Sequence, residues 1–316
     1  MSTEKKRIRA GRRVVQVSRP EKVLFPEDGI TKADLAAYYR TVARRMLPHL
    51  RGRPLMLERY PDGIGEPGFQ QKEIPAHFPD WVHRAELPKE GGTVTHVLCE
   101  ETATLVLLAD QGCVTPHRWL SRADRPDHPD RLVFDLDPPG DDFRPVREAA
   151  GWLHELLDEL GLPSLLMTTG SRGLHVLVPL DRRAPFDDVR AFAADVAAVL
   201  ADRHPDRLTT EVRKKARHGR LYLDIQRNGY AQTAVAPYAV RARPGAPVAA
   251  PISWDDLQDP DLDARRWTLT DADRLVRENP WSPAGRPRSL KAAAHRLRER
   301  PRVPWKALPG ASGRGG

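Results

Sequence analysis

The stretch Leu132-Val133-Phe134-Asp135-Leu136-Asp137-Pro138-Pro139 brings two carboxylates, two residues apart, to the end of an apolar run that two prolines then stop. On a strand, the period of two sets Asp135 and Asp137 on one face and Phe134 and Leu136 on the other. A core strand has no use for two aligned acids, whereas divalent cations do, because close oxygen ligands are neutralised through the metal. Solvated acids at a strand end explain a lone Asp-x-Asp about as well. Two further stretches favour the metal. Thr168-Thr169-Gly170-Ser171-Arg172-Gly173-Leu174-His175-Val176 is a hydroxyl- and glycine-rich turn between apolar segments. Its glycines let backbone N–H groups approach phosphate oxygens, and Arg172 and His175 add donors. A tight hairpin accounts for Gly170 and Gly173 but gives no use for Arg172 and His175. In Leu221-Tyr222-Leu223-Asp224-Ile225-Gln226-Arg227-Asn228, Asp224 interrupts an otherwise apolar strand.

If neighbouring strands carry Asp135, Asp137 and Asp224 to one point, three carboxylates can hold two cations. That pattern suits nucleotidyl transfer, with one ion activating a 3′-hydroxyl and the other holding a triphosphate. Arg213, Lys214, Lys215, Arg217, Arg220, Arg227, Arg241 and Arg243 surround Asp224 in the sequence. Such a run is usually a solvated face. Beside an acid in such a pattern it also suits a triphosphate and a DNA backbone.

The elements that must position these residues are partly legible. Val14 to Val17 reads as a short strand, Thr31 as a helix N-cap, and Lys32 to Leu50 as an amphipathic helix. Pro54 to Tyr60 reads as a strand, Lys89-Glu90-Gly91-Gly92 as a hairpin tip before a strand at Val94–Cys99, and Thr102 to Gln111 as a helix or a strand. Pro116-His117-Arg118-Trp119 leads as a loop to the acidic strand. Arg147 to Leu160 is amphipathic and closed by Gly161. Strands at Ser164–Thr168 and His175–Leu180 and a helix at Phe186–Ala201 follow. With Arg220–Ile225 as the last strand, the order is strand, helix, strand, strand, helix, strand, the split βαβ arrangement. A short helix is expected near Trp254–Leu257, and another at Leu290–Leu297. The domain reading is a flexible basic N-terminus at 1–13, one catalytic domain at 14–281, and a basic, partly disordered segment at 282–316. No internal repeat is visible.

The 316 residues allow a sizeable core. No run of 18 apolar residues occurs and no apolar stretch follows the N-terminal charges, so neither secretion nor membrane spanning is expected. The two cysteines suit a reducing cytosol. The net charge of +8 is carried by residues 282–316, with nine Lys/Arg against one acid. The basic pI therefore cannot by itself establish a nucleic-acid groove. The excess between Asp206 and Arg243, nine Lys/Arg against three acids, lies inside patterned sequence.

These motifs resemble the polymerase domain of bacterial ATP-dependent DNA ligase D, in the archaeo-eukaryotic primase superfamily. The likeness runs from about Val17 to about Trp281. Gly-Leu-His-Val-Leu-Val-Pro-Leu (173–180) and Val-Ala-Pro-Tyr-Ala-Val-Arg-Ala-Arg-Pro-Gly-Ala-Pro-Val (235–248) are far more specific than Asp-x-Asp. The resemblance implies an α/β (α+β) primase-like core in which a split βαβ sheet packs with an N-terminal α/β part. It makes Asp135, Asp137 and Asp224 the metal ligands, for two Mn²⁺ or Mg²⁺ ions. Thr169, Arg172, His175, Arg217, Arg227 and Arg241 would line the nucleoside triphosphate pocket, with His117 near the incoming sugar. Lys22 and Lys32 match the pair that grips a recessed 5′-phosphate across a gap or break. The family commonly sets two adjacent aromatics against the template, where this chain has Phe69-Gln70. One missing ring removes a stacking platform worth about 1–3 kcal/mol per base.

The implied activity is addition of ribo- or deoxyribonucleotides to 3′-hydroxyl ends at gaps or double-strand breaks, in non-homologous end joining or gap repair. His117 beside Thr169 suggests a preference for ribonucleotides. DNA with gaps or broken ends, a separate ATP-dependent DNA ligase and Ku are the partners expected. The chain would be monomeric, cytoplasmic and nucleoid-associated, either a stand-alone polymerase or an excised domain. Two alternatives stand beside this reading: a primase that starts chains de novo, and a non-catalytic DNA-end binding protein. A two-metal nuclease fits the acids but not the triphosphate-like surroundings. His96-x-x-Cys99 with Cys113-x-x-x-His117 imitates a zinc quartet, but both cysteines lie in apolar sequence where core thiols are common.

Overall fold

The acidic strand is Arg131–Asp137, and it lies inside a six-stranded sheet. This is a computed structural model of the chain, and it describes residues 5–282 and 285–299. Across the sheet the strands run Leu208–Thr209, Leu221–Asp224, Arg131–Asp137, Leu174–Pro179, Leu165–Thr168 and Pro251–Ile252. Only the first pair is parallel. Taken along the chain, the four inner strands and the helices Arg144–Glu159 and Phe186–Arg203 give the spatial order fourth, first, third, second. The expected split βαβ unit is therefore present.

Local chemistry explains the elements. Arg144–Glu159 begins three residues before the amphipathic pattern suggested, because Pro145 is tolerated in a first helical turn. Val146, Ala149, Ala150, Leu153, Leu156 and Leu157 form its buried stripe, and Gly161 follows the end with φ +70°. Leu132, Phe134 and Leu136 on the acidic strand, with Leu174, Val176 and Val178 opposite them, share a wholly buried face. The other face carries the acids.

A second, antiparallel sheet of four strands has the order Thr233–Val235, Cys113–Trp119, Leu55–Arg59, Phe69–Gln71. His117 thus sits within a strand, not in a loop. The expectation failed at Pro116, which has no N–H for a ladder. Its carbonyl accepts from Ala236 N at 3.2 Å, while Ala236 O takes its hydrogen from Ala239 N at 3.1 Å. The missing donor leaves no acceptor wanting, so the strand continues.

Thr31 caps Lys32–Met46 through a reciprocal capping box with Asp34. The apolar run that periodicity left open is the helix Thr102–Asp110, buried from Ala103 onward. Lys5–Ala10 is not a frayed end: it pairs with Arg13–Ser18 as an antiparallel hairpin, burying Ile8, Ala10, Val15 and Val17. Only alternate positions are apolar there, and cations between them masked the period. The helix Leu290–Arg298 buries Leu290, Ala293 and Leu297. Arg288 N donates to Pro179 O at 3.1 Å, so the packed unit runs past 281. The disorder expected of the Gly/Ser/Arg end concerns residues 300–316, outside those described.

The Asp224 strand pairs with the acidic strand only from Asp135 to Asp137. Beyond it, the buried Asn228 side chain stands in for a neighbour: Val133 N donates to its Oδ1 at 2.8 Å, and its Nδ2 donates to Val133 O at 2.7 Å. Asn228→Ala leaves both backbone groups buried and unpaired, at about 1–3 kcal/mol each. The expected outcome is a urea midpoint lowered accordingly with an unchanged slope. An unchanged midpoint would show that another group satisfies Val133.

Candidate active site

Antiparallel register assembles the acids. Asp135 lies directly opposite Asp224 on one side and opposite His175 on the other, while Asp137 faces Tyr222. Directly opposed residues share a face, so His175, Asp135 and Asp224 form one row across three strands. Asp137 and Tyr222 stand one pleat further along. Basic side chains lie on Asp135 and Asp137, and neutral donors on Asp224. His175 Nε2 is 3.4 Å and Arg227 Nε 3.6 Å from Asp135 Oδ2. Arg172 Nη2 donates to Asp137 Oδ1 at 2.9 Å, and Arg217 Nη1 to Asp137 Oδ2 at 3.2 Å. Asp224 Oδ1 accepts from Gln226 N at 2.7 Å and from the Tyr222 hydroxyl at 3.4 Å. Burial pushes the Asp135 carboxyl up, but His175, then Arg227 and Arg241, bring it below the usual range.

The glycine turn is built for close packing. The Thr169 hydroxyl donates to Gly173 O at 3.0 Å and accepts from Gly173 N at 3.2 Å and Ser171 N at 3.3 Å. Its hydrogen-bonding capacity is spent on the turn. A Cβ on Gly173 would stand 2.0 Å from Leu136 O, on the acidic strand itself. Gly170, at φ +62°, would set a Cβ 2.8 Å from Arg241 Cγ. The glycines thus bring the Arg172 turn and Arg241 against the acids. Arg241 Nη1 donates to Thr169 O at 2.7 Å.

The second sheet adds His117 and Glu58. His117 Nε2 lies 3.1 Å from Glu58 Oε2, and the Tyr60 hydroxyl donates to Glu58 Oε1 at 2.9 Å. Burial lowers the pKa of His117 and outweighs its hydrogen bond to Glu58. Burial acts to raise Glu58, but the bonds from His117 and Tyr60 hold it below its ordinary value. At neutral pH a neutral imidazole therefore donates Nε2–H to a carboxylate. Burial also lowers Arg241, against the charges of Glu58 and Asp135.

Glu58, Tyr60 and Tyr222 were not singled out in the sequence. Glu58 ends the apolar run Leu55-Met56-Leu57 much as Asp224 ends its own, and Tyr222 precedes Asp224 by two residues, so on the same face. Those signals were present.

Lys22 and Lys32 lie apart from the acids, at the Val23–Phe25/Ile30–Thr31 pairing. They are neighbours, since Lys32 N donates to Lys22 O at 2.9 Å. Lys22 Nζ pairs with the exposed Asp62 at 2.5 Å. Lys32 is no ordinary surface lysine. It is buried, with Nζ 3.4 Å from Asp110 Oδ1 and 3.3 Å from Ser18 Oγ, and desolvation lowers its pKa. Sequence reading missed this because Asp110 is 78 residues away. Phe69 is exposed on an edge strand, with the Arg59 guanidinium 5.3 Å from its ring.

Among the described residues no three His, Cys, Asp or Glu side chains converge as placed on a single ion position. The donor set nevertheless fits hard divalent cations, being all carboxylate oxygen on adjacent register positions. The surroundings fit an anion, since His175 Nδ1, Arg227 Nε and Arg241 Nε are buried nitrogens without a hydrogen-bond partner among the described residues.

The LigD primase-polymerase domain family matches residues 31–281. The multifunctional non-homologous end joining protein LigD of Mycolicibacterium smegmatis is 34% identical over 251 residues, covering 78% of this chain and 33% of that protein. The corresponding Pseudomonas aeruginosa protein is 33% identical over 294 residues, covering 91% and 35%. The chain therefore spans about a third of the length of these relatives. The polymerase domain from Mycobacterium tuberculosis ligase D, solved in complex with DNA, superposes with a TM-score of 0.78. It is 32% identical and covers 89% of this chain and 98% of that one. With its acidic row, glycine turn and matched span, the chain belongs to the LigD primase-polymerase domain family.

Proposed function

We propose that this chain is a DNA-directed nucleotidyltransferase that adds nucleotides to 3′-hydroxyl ends at gaps or double-strand breaks, in non-homologous end joining or gap repair. The observation that carries this is the placing of Asp135 opposite Asp224 and beside Asp137, ringed by His175, Arg172, Arg217, Arg227 and Arg241. A scaffold gains nothing from opposed carboxylates. A relative solved with DNA and relatives named as end-joining proteins support the substrate and the pathway. Ku and a separate ATP-dependent ligase are the partners that fit this reading. The setting that fits is the cytoplasm, at the nucleoid.

Asp135, Asp137 and Asp224 would hold two Mn²⁺ or Mg²⁺ ions, which supply activation of the primer hydroxyl and neutralisation of the triphosphate. The chain's own part is electrostatic and positional. Arg172 and Arg217, now on Asp137, can turn to phosphate oxygens once that carboxylate is otherwise engaged. Arg227, Arg241 and His175, with nitrogens that no hydrogen bond engages among the described residues, add donors to phosphate in a desolvated site. With Nε2–H donated to Glu58, His117 keeps Nδ1 as an acceptor for a sugar hydroxyl. Phe69 offers one face to a template base, and Lys22 with Lys32 would bind the 5′-phosphate of the downstream strand. Extension of a gapped duplex, with each nucleotide type and either metal, tests the reading.

Asp135→Ala and Asp224→Ala should each abolish extension while leaving the unfolding midpoint and most DNA affinity in place. Full-length product from either variant would remove the metal role. Ribonucleotides should outcompete deoxyribonucleotides on one template. Because the Thr169 hydroxyl is committed to its turn, the preference should rest on His117, and His117→Ala should bring the competition ratio toward one. A preference that survives in this variant would place the sugar elsewhere.

For the phosphate grip, Lys22 is the better probe, since Lys32→Ala also strips a cation from buried Asp110. Lys22→Ala should reduce the ratio of extension on 5′-phosphorylated to unphosphorylated gaps to about one at fixed moderate salt. An unchanged ratio would take Lys22 out of the phosphate site.

A further inference from the structure

The N-terminal hairpin carries cations that the proposed site does not use. Lys5, Arg7 and Arg9 alternate along one strand, and their register partners Ser18, Gln16 and Val14 complete a single outward face. The opposite face buries Ile8, Ala10, Val15 and Val17 against the body. Lys5, Arg7 and Arg9 are exposed and form no ion pair among the described residues, and residues 5–20 contain no acid to neutralise them. A solvated face would ordinarily mix signs. This one does not, and the hairpin bearing it is held firmly. Arg13 on its second strand bonds Glu101 at 2.7 Å and stacks 4.7 Å over the Trp81 ring.

Where the face leads gives it a partner. Lys5 is opposite Ser18, whose hydroxyl and N–H both donate to Asp110 Oδ1, the carboxylate that also pairs with Lys32. Arg19 follows at once, close enough for its charge to act on Lys32, as does Lys22. The row therefore starts at the Lys22/Lys32 corner and runs away from it. Successive cations on one strand face are about 7 Å apart, so Lys5 to Arg9 spans about 14 Å, the reach of about four nucleotide steps of one DNA strand.

We infer that the outward face of the Lys5–Ala10/Arg13–Ser18 hairpin binds the phosphate backbone of duplex DNA downstream of the gap, extending the contact past the first phosphate. The inference rests on the proposed placing of the downstream 5′-end at Lys22 and Lys32. It adds a surface that would make affinity depend on the length of the downstream arm. Phosphate contacts of this kind carry no sequence preference.

The test compares the full chain with a Lys5→Thr/Arg7→Thr/Arg9→Thr variant. Threonine is chosen because it keeps the strand preference, and an unchanged unfolding midpoint verifies the fold. Equilibrium binding is read without nucleotide, on gapped DNA whose hairpin-capped downstream arm is about three or about ten base pairs long, against an upstream primer-template with no arm. The wild-type chain should bind the longer arm more tightly, and the variant should lose that gain. The slope of log affinity against log salt on the longer arm should become shallower by about 2 to 3, from about 0.9 per phosphate contact. Arm-length dependence that persists in the variant would overturn the inference. Equal weakening on DNA without an arm would overturn it as well, by showing a general polyanion surface. Each arm is made with and without its 5′-phosphate, and Lys22→Ala is run in parallel. If the 5′-phosphate has no effect in the wild-type chain while the hairpin variant still loses the arm-length gain, the Lys22/Lys32 assignment fails and the hairpin surface stands.

Discussion

Two carboxylates set directly opposite each other on neighbouring antiparallel strands repel, and a sheet normally avoids such a pair. Asp135 and Asp224 occupy that arrangement in the interior of a six-stranded sheet. Much of the site can be understood as the means of tolerating it. His175 and Arg227 sit on Asp135, Arg172 and Arg217 on Asp137, and Tyr222 with the Gln226 amide on Asp224. Under the proposed function, the basic groups that make the acids bearable would also be the donors to a triphosphate, so compensation and substrate binding would use the same side chains.

Geometry converges from two directions. The split βαβ sheet supplies the acidic row. The four-stranded sheet supplies the Glu58–His117 pair, and the charges of both Glu58 and Asp135 act on Arg241. Gly170 and Gly173 let the connecting turn close on both, because any side chain there would meet Arg241 or the Leu136 carbonyl. Rigidity near the acids is bought with hydrogen bonds from groups outside regular pairing, Asn228 and Thr169 foremost. Such bonds hold one geometry where a regular ladder would allow register slips.

Residues whose meaning is local were legible in the sequence. The Asp135/Asp137 alternation, the Thr31 cap, the amphipathic helices and the split βαβ order follow from spacing alone. Residues whose meaning depends on distant partners were not. Lys32 reads as one of two phosphate-gripping lysines, and its burial against Asp110, 78 residues on, has no signal in the sequence. His117 reads as loop because Pro116 breaks a strand pattern, and only the bond between Ala239 N and Ala236 O shows why it does no harm. The N-terminal hairpin was hidden for another reason: a strand that buries only alternate small residues, with cations between them, looks like a charged tail. Glu58 carried a usable signal that went unread, an acid closing an apolar strand.

The helix Leu290–Arg298 has a bearing on where the physical unit ends. The match to the family ends at 281, yet Leu290, Ala293 and Leu297 are buried, and the Arg296 guanidinium donates to the Leu160 carbonyl at the end of Arg144–Glu159. Asp181 N donates to Arg288 O at 3.2 Å, so this segment also continues the edge beside Pro179. A fragment cut at the family boundary would open an apolar groove along Phe186–Arg203 and uncap the helix that backs the acidic strand. Packing thus sets a later border than the family match does, and a minimal version of this domain should be drawn through residue 299.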